Sequence, residues 1–223
     1  MSEAICNQAA ETVLITGASG GIGLELARCF AQSGLDLVLV ARSEEKLAEL
    51  SVRLAEDFGI KATAIVCDLA HPNGAAKLLE DLHQKGLNVD VLVNNAGYGL
   101  SGALAEADMS KQLDMLRLNI QALTELSGAL LPGMIARGRG GILNVSSMAA
   151  FSPIPLMAAY AASKAYVLSF SEALWEEVRG TGVKVSCLCP GSTESSFHSR
   201  AGTDKLKSTQ VVMMSATDVA RIA

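Results

Sequence analysis

The segment TVLITGASGGIG, residues Thr12–Gly23, joins a short β-branched apolar run to a cluster of glycines. Glycines let a backbone turn tightly and approach a phosphate with no Cβ in the way. A helical pattern follows at about Gly21–Ser33. The amino end of a helix offers free N–H groups and a partial positive charge to a pyrophosphate. Gly17, Gly21 and Gly23 are spaced one residue wider at the first gap than the usual dinucleotide fingerprint, and Ser19, Gly20 and Ile22 complete the loop. The same strand-then-helix alternation continues along the chain. Apolar runs at Thr12–Thr16, Asp36–Ala41, Lys61–Cys67, Asp90–Asn94, Gly141–Ser146 and Val183–Cys189 enclose helical patterns at Gly21–Ser33, Glu44–Phe58, Asn73–Lys85, Met109–Arg137 and Met157–Arg179. This order predicts an α/β fold: a three-layer, doubly wound parallel sheet with helices on both faces. Uninterrupted apolar stretches such as Leu37–Val40 suit strands buried on both sides.

The end of the second strand distinguishes the two nicotinamide cofactors. An acid there binds the ribose 2′-hydroxyl and repels a 2′-phosphate. The sequence instead reads Ala41-Arg42-Ser43. Arg42 can pair bidentately with a 2′-phosphate, and Ser19 can add a hydroxyl, so the expected cofactor is NADP rather than NAD. The alternative is a solvated loop arginine. After the third strand, Asp68-Leu69 falls where an adenine would lie; Asp68 can accept from the adenine amino group or cap the next helix.

Tyr160 and Lys164 stand four residues apart in a helical pattern, one turn apart on one face. An ammonium close to a phenol favours phenolate and draws its pKa down from about 10. Such a phenol can exchange a proton with an alcohol or carbonyl oxygen. Ser147, thirteen residues before Tyr160 at the end of the fifth strand, can hold the substrate oxygen. Ser146 precedes it, and a one-residue shift of the strand end would exchange the two.

These motifs together resemble the short-chain dehydrogenase/reductase family in its main single-domain branch. The matching residues are Thr16–Gly23, Asn94–Gly97, Asn119, Ser147, Tyr160–Lys164 and Pro190-Gly191, in family order from residue 12 to about 195. The resemblance implies a Rossmann-like fold and hydride transfer between NADP(H) and a carbonyl or secondary alcohol. It makes Tyr160 the general acid/base and gives Lys164 the tasks of lowering its pKa and binding the nicotinamide ribose. Ser147 would orient the substrate oxygen, and Asn119 would hold a water linking Lys164 to solvent. Asn95, Ala96 and Gly97 would line the adenosine side, and Pro190-Gly191 would face the nicotinamide. Where the family often has Thr five residues after the proline, this chain has Ser195, with Thr193 two earlier, so either hydroxyl can meet the carboxamide. The chain stops at Ala223, inside a helix expected near Thr217, whereas the family usually continues to a seventh strand; a sheet lacking its last strand is expected. Pairing through the two long helices as a homodimer or homotetramer is also implied.

At 223 residues, half of them hydrophobic, one domain spanning residues 1–223 is expected, with a substrate loop at about 191–215. A net charge of −5 argues against a nucleic-acid surface. No apolar run is long enough to span a membrane, and Met1–Glu11 lacks a signal pattern, which points to a cytoplasmic protein. Cys6, Cys29, Cys67, Cys187 and Cys189 are odd in number and read as small hydrophobes in a reducing compartment, with no metal site completed. His71, His83 and His198 are scattered and form no hydrolase arrangement. The expected substrate lining is apolar: Tyr98, Leu100, Phe151, Ile154, Leu156, Met157, Phe197, Val211, Val212, Met213 and Met214, with Arg200 the only evident basic anchor. This favours a small apolar ketone, aldehyde or alcohol. The rival reading is a protein that binds NADP as a regulator or sensor without turnover; the Ser147, Tyr160 and Lys164 set argues against it, since a pure binder needs no such phenol.

Overall fold

The computed structural model describes residues 11–194 and 213–223. Six parallel strands form one sheet in the order β3-β2-β1-β4-β5-β6. They are β1 (Thr12–Thr16), β2 (Asp36–Ala41), β3 (Ala62–Val66), β4 (Val91–Asn94), β5 (Gly140–Val145) and β6 (Val183–Leu188). The first crossovers carry α1 (Gly21–Gln32), α2 (Glu44–Phe58) and α3 (Gly74–Gln84). Strand order reverses between β1 and β4, which opens a crevice beyond their carboxyl ends.

Side-chain alternation along each strand divides the interior in two. Leu14, Val38, Val40 and Leu92 pack with Leu78, Leu126 and Leu174 on one face. Val13, Ile15, Leu37 and Leu39 pack with Leu26, Leu47 and Leu54 on the other. The central strands are apolar at consecutive positions because both faces are covered.

The helix expected over Met109–Arg137 is divided. It runs as α4 (Met109–Leu116), a π-helical turn at Arg117–Ala122, and α5 (Leu123–Arg137). A π turn inserts a residue without disturbing the apolar period enough to show in the sequence, and such turns recur at functional sites. Asp108 caps α4 by accepting the N–H groups of Ser110 and Lys111. The next helix, α6 (Ala158–Glu177), follows a 3₁₀ turn at Met148–Phe151. The described ends of the expected substrate loop are not irregular: β7 (Thr193–Glu194) pairs in parallel with β8 (Met214–Ser215). Helix α7 (Ala216–Ile222) then packs on α1, with Thr217 Oγ1 donating to Glu25 at 3.2 Å. No helix among the described residues is long and apolar enough to cross a membrane.

Candidate active site

All six strands of the main sheet deliver a loop to the same crevice, a cleft of about 890 Å³, within the size range of small-molecule and cofactor sites. On the β1 side, Gly17 and Ala18 donate their N–H groups to Val40 O at 2.7 and 3.2 Å, tying the glycine loop to β2. Gly17 has φ +69°, and a Cβ on Gly23 would sit 2.4 Å from Gly17 O. These two glycines let the loop fold onto the start of α1. Gly20 serves differently: it lines the cleft, and a Cβ there would meet nothing within 4 Å. Helix α1 begins with no side-chain cap and no acid in its first turn, so its N–H groups remain available to an anion. Ser19, Gly21 and Ile22 complete this wall.

Thr16, quoted in the glycine motif but given no role from the sequence, is the pin of this region. Its hydroxyl donates to Val93 O at 3.2 Å and accepts the N–H groups of Asn95 and Ala96, both at 3.0 Å. Asn95 Nδ2 in turn donates to Thr16 O at 2.9 Å and Gly17 O at 3.3 Å. Asn95 thus braces the glycine loop as well as lining the cleft. A threonine at the last position of a glycine-flanked strand was the available signal.

At the far end of the cleft, Arg42 lies 4.0 Å from Asp68 Oδ2, both side chains at least half exposed. Exposed pairs of this kind hold weakly, so Arg42 is available to a ligand. Lys46, in the first turn of α2 and absent from the sequence reading, lines the same end with Ser43. Asp68 caps no helix: its Oδ1 accepts the N–H of Ala70 at 3.0 Å in a local turn, while Asn73 occupies the cap of α3. Leu69 lies beside it in the lining. A pair of cations, an uncapped helix start and close-packed glycines fit a dinucleotide bearing an extra phosphate.

At the other end stand Ser147, Tyr160 and Lys164. The two adjacent serines have different partners. Ser146 is buried and donates to Lys164 O at 2.8 Å, pinning β5 to α6. Ser147 starts the 3₁₀ turn, accepts the N–H of Ala149 at 3.1 Å and hydrogen-bonds the Tyr160 phenol. The expected acidification of Tyr160 by Lys164 is not what this geometry produces. Burial pushes the phenol above its ordinary value of 10, and only the Ser147 hydrogen bond opposes it. Lys164 Nζ lies 5.9 Å from the phenol ring centroid and donates to Val145 O at 2.9 Å. Burial also lowers the lysine itself to about 8, so its charge is costly and partly spent on a backbone carbonyl.

Asn119 sits on the π turn, buried. Its Nδ2 donates to Tyr98 O at 3.0 Å and Ser163 Oγ at 3.1 Å, and its Oδ1 accepts from Tyr98 N at 3.2 Å. Ser163 passes this connection on by donating to Tyr160 O at 2.7 Å. Asn119 therefore braces α6 through Ser163. A Cβ on Gly97 would lie 3.0 Å from Asn119 Oδ1 and 3.5 Å from Lys164 Nζ, so all three meet at one point.

Pro190 and Gly191, after β6, and buried Thr193, at the start of β7, close the cleft, with Thr193 Oγ1 donating to Gly191 O at 3.1 Å. Tyr98, Leu100, Met148, Ala149, Ile154 and Met157 form the apolar wall beside Tyr160. Phe151 and Leu156 are exposed and stand outside that lining, as do Met213 and Met214. Ser195, Phe197, His198, Arg200, Val211 and Val212 lie outside the described residues. Among the described residues no cluster of metal-ligating side chains occurs.

The sequence description of the family "short chain dehydrogenase" matches residues 11–206. The chain belongs to the short-chain dehydrogenase family. Within this family of oxidoreductases, it is 33% identical over 185 residues to an uncharacterized oxidoreductase of Staphylococcus saprophyticus, covering 83% of this chain and 79% of that one. It spans less of some longer curated relatives, 63% of one and 58% of another. Its fold is similar to a short-chain dehydrogenase from Sphingobium yanoikuyae in complex with NADPH, with a TM-score of 0.88 and 35% identity over 95% of this chain and 82% of that one. It is also similar to the bulky-bulky ketone specific alcohol dehydrogenase from Comamonas testosteroni, with a TM-score of 0.83 and 32% identity over 95% and 80% of the two chains.

Proposed function

We propose that this short-chain dehydrogenase is an NADP(H)-dependent enzyme that reduces an apolar carbonyl compound, or oxidises the matching alcohol. The observation that carries the reading is the hydrogen-bonded Tyr160–Ser147 pair at the apolar end of the cleft. A phenol raised above 10 keeps its proton at neutral pH, which suits a proton donor in carbonyl reduction. NADPH supplies the hydride. Ser147 orients the substrate oxygen, Tyr160 delivers its proton to that oxygen, and Lys164 holds the nicotinamide ribose. Asn119 places a water for proton resupply. Gly17, Ser19, Gly20, Gly21, Ile22 and Gly23 hold the pyrophosphate, while Asp68, Leu69, Asn95, Ala96 and Gly97 receive the adenosine. Pro190, Gly191 and Thr193 face the nicotinamide. Arg42, joined by Lys46, binds the 2′-phosphate. The substrate is apolar and uncharged, because the described wall beside Tyr160 offers Tyr98, Leu100, Ile154 and Met157 and no cation but Lys164. The NADPH complex and the bulky ketone specificity of the two structural relatives support this choice.

Residues 1–223 form one nucleotide-binding domain, with 191–215 as its substrate loop. Exposed Tyr166 and Trp175 on α6 suit a homo-oligomer contact in a cytoplasmic enzyme. The test is nucleotide titration: NADPH binds at least about tenfold more tightly than NADH, and Arg42→Glu removes the difference. Equal affinity of the unaltered protein for NADH and NADPH refutes the Arg42 assignment.

A further inference from the structure

Cys187 and Cys189 are neither fully buried nor remote from one another. Cys187 lies on β6 and Cys189 just past its end, and their sulfurs come within 3.9 Å. Cys187 also hydrogen-bonds Ser171, the end of a buried chain in which Asn144 Nδ2 donates to Ser171 at 2.9 Å and Asn94 Nδ2 donates to Asn144 at 2.9 Å. Lys164 interacts electrostatically with both thiols. The pair thus lies within electrostatic reach of Lys164 and immediately before Pro190-Gly191.

We propose that Cys187 and Cys189 form a site of reversible oxidation by peroxides, closing to a disulfide that distorts the end of β6. Hydrogen peroxide transfers one oxygen to the Cys189 sulfur, giving a sulfenic acid and one water. Cys187 sulfur then attacks that sulfur, the S–S bond forms, and the hydroxyl leaves with the Cys187 proton as a second water. The two thiols supply the two electrons that reduce the peroxide. Burial holds the Cys187 thiol up at about 11, which makes it the resolving partner.

Geometry decides why closure matters. Two residues of extended strand span roughly 6.6 Å. Disulfides bridge Cα atoms about 4.4–6.8 Å apart, so this bridge forms only at the upper limit and pulls the strand short. A strained bridge is also readily reduced, as a reversible switch requires. The strand end concerned holds Ser147 in place: Ser146 N donates to Leu188 O at 2.7 Å, and Met148 N donates to Pro190 O at 2.9 Å. Shortening β6 therefore shifts Ser147 and Pro190 relative to each other. The loss of activity rests on the function proposed above; the disulfide itself does not.

The test treats the full chain with hydrogen peroxide, alkylates remaining thiols, and maps tryptic peptides without reduction. Both cysteines fall in one peptide, residues 185–200. The expected product is that peptide two hydrogens lighter and unalkylated, restored by dithiothreitol and absent from Cys187→Ser and Cys189→Ala. NADPH binding should weaken by about tenfold on oxidation and recover on reduction. Methionine oxidation is not reversed by dithiothreitol, so recovery separates the two. Two alkylated cysteines after peroxide, or a linkage to another cysteine, overturns the proposal. NADPH binding by the reduced protein is measured alongside, so failure of the cofactor assignment is seen independently.

Discussion

Replacing Lys164 with methionine should abolish turnover and yet stabilise the protein at neutral pH. The lysine is 6% exposed, and its ammonium is lowered from 10.5 to about 8 by burial. At 1.36 kcal/mol for each factor of ten, carrying that charge at pH 7 costs roughly 3 kcal/mol. Methionine has a similar length and no charge to desolvate. It forfeits the hydrogen bond to Val145 O, worth about 1–2 kcal/mol. The net expectation is a gain of about 1–2 kcal/mol at pH 7, or roughly 2–8 °C in Tm for a chain of this size. The pH dependence identifies the cause. Between about 8 and 10.5 the unfolded chain binds a proton on this residue that the folded protein has released. Wild-type stability gained from this group therefore rises with pH across that window, and the methionine variant lacks the rise. Urea unfolding of both proteins at pH 7 and at about pH 10 measures the difference, with other titrations cancelling between them. The variant should lead at pH 7 and lose its lead at the higher pH. A variant less stable at pH 7, or a gap that does not move with pH, refutes the argument that Lys164 is held at an electrostatic cost.

The glycine loop separates packing from binding. Gly23→Ala places a Cβ 2.4 Å from Gly17 O, so unfolding free energy should drop by about 1–3 kcal/mol, whereas Gly20→Ala meets no neighbour and should leave stability within about 0.5 kcal/mol while weakening NADPH binding. Denaturant midpoints read alongside NADPH titrations check both. Tyr160→Phe should keep NADPH affinity within about twofold and lower kcat for ketone reduction by about 10²–10⁴; activity near wild type would remove Tyr160 from the chemistry. In the unaltered enzyme, ketone reduction should decline as pH rises through about 8, because Lys164 then loses the charge that holds the ribose.

Much of the architecture was legible before any coordinates. Strand and helix positions followed from period and glycine punctuation, and β1, β2 and α2 fall where the sequence placed them. Fully apolar strands announced a sheet covered on both faces. The π turn at Arg117–Ala122 was hidden, because one inserted residue leaves the apolar pattern of the surrounding helix nearly intact. Lys46 was missed, and Thr16 and Ser163 stood in matching motifs with no role assigned, for a related reason: each acts on partners distant in sequence or on a ligand end defined only by the cleft.

Residue types and spacings alone determined the winding and the family, since a glycine-rich strand end and the alternation of apolar strands with amphipathic helices depend only on local backbone freedom and period. Only the tertiary structure decided how Ser147, Tyr160 and Lys164 are charged and braced. Whether Tyr160 is made more or less acidic depends on burial and on where the Lys164 nitrogen points, and both are set by the packing of α6 against β5 and β6. Desolvation and hydrogen-bond direction are properties of three-dimensional neighbours, which a linear spacing of four residues cannot specify.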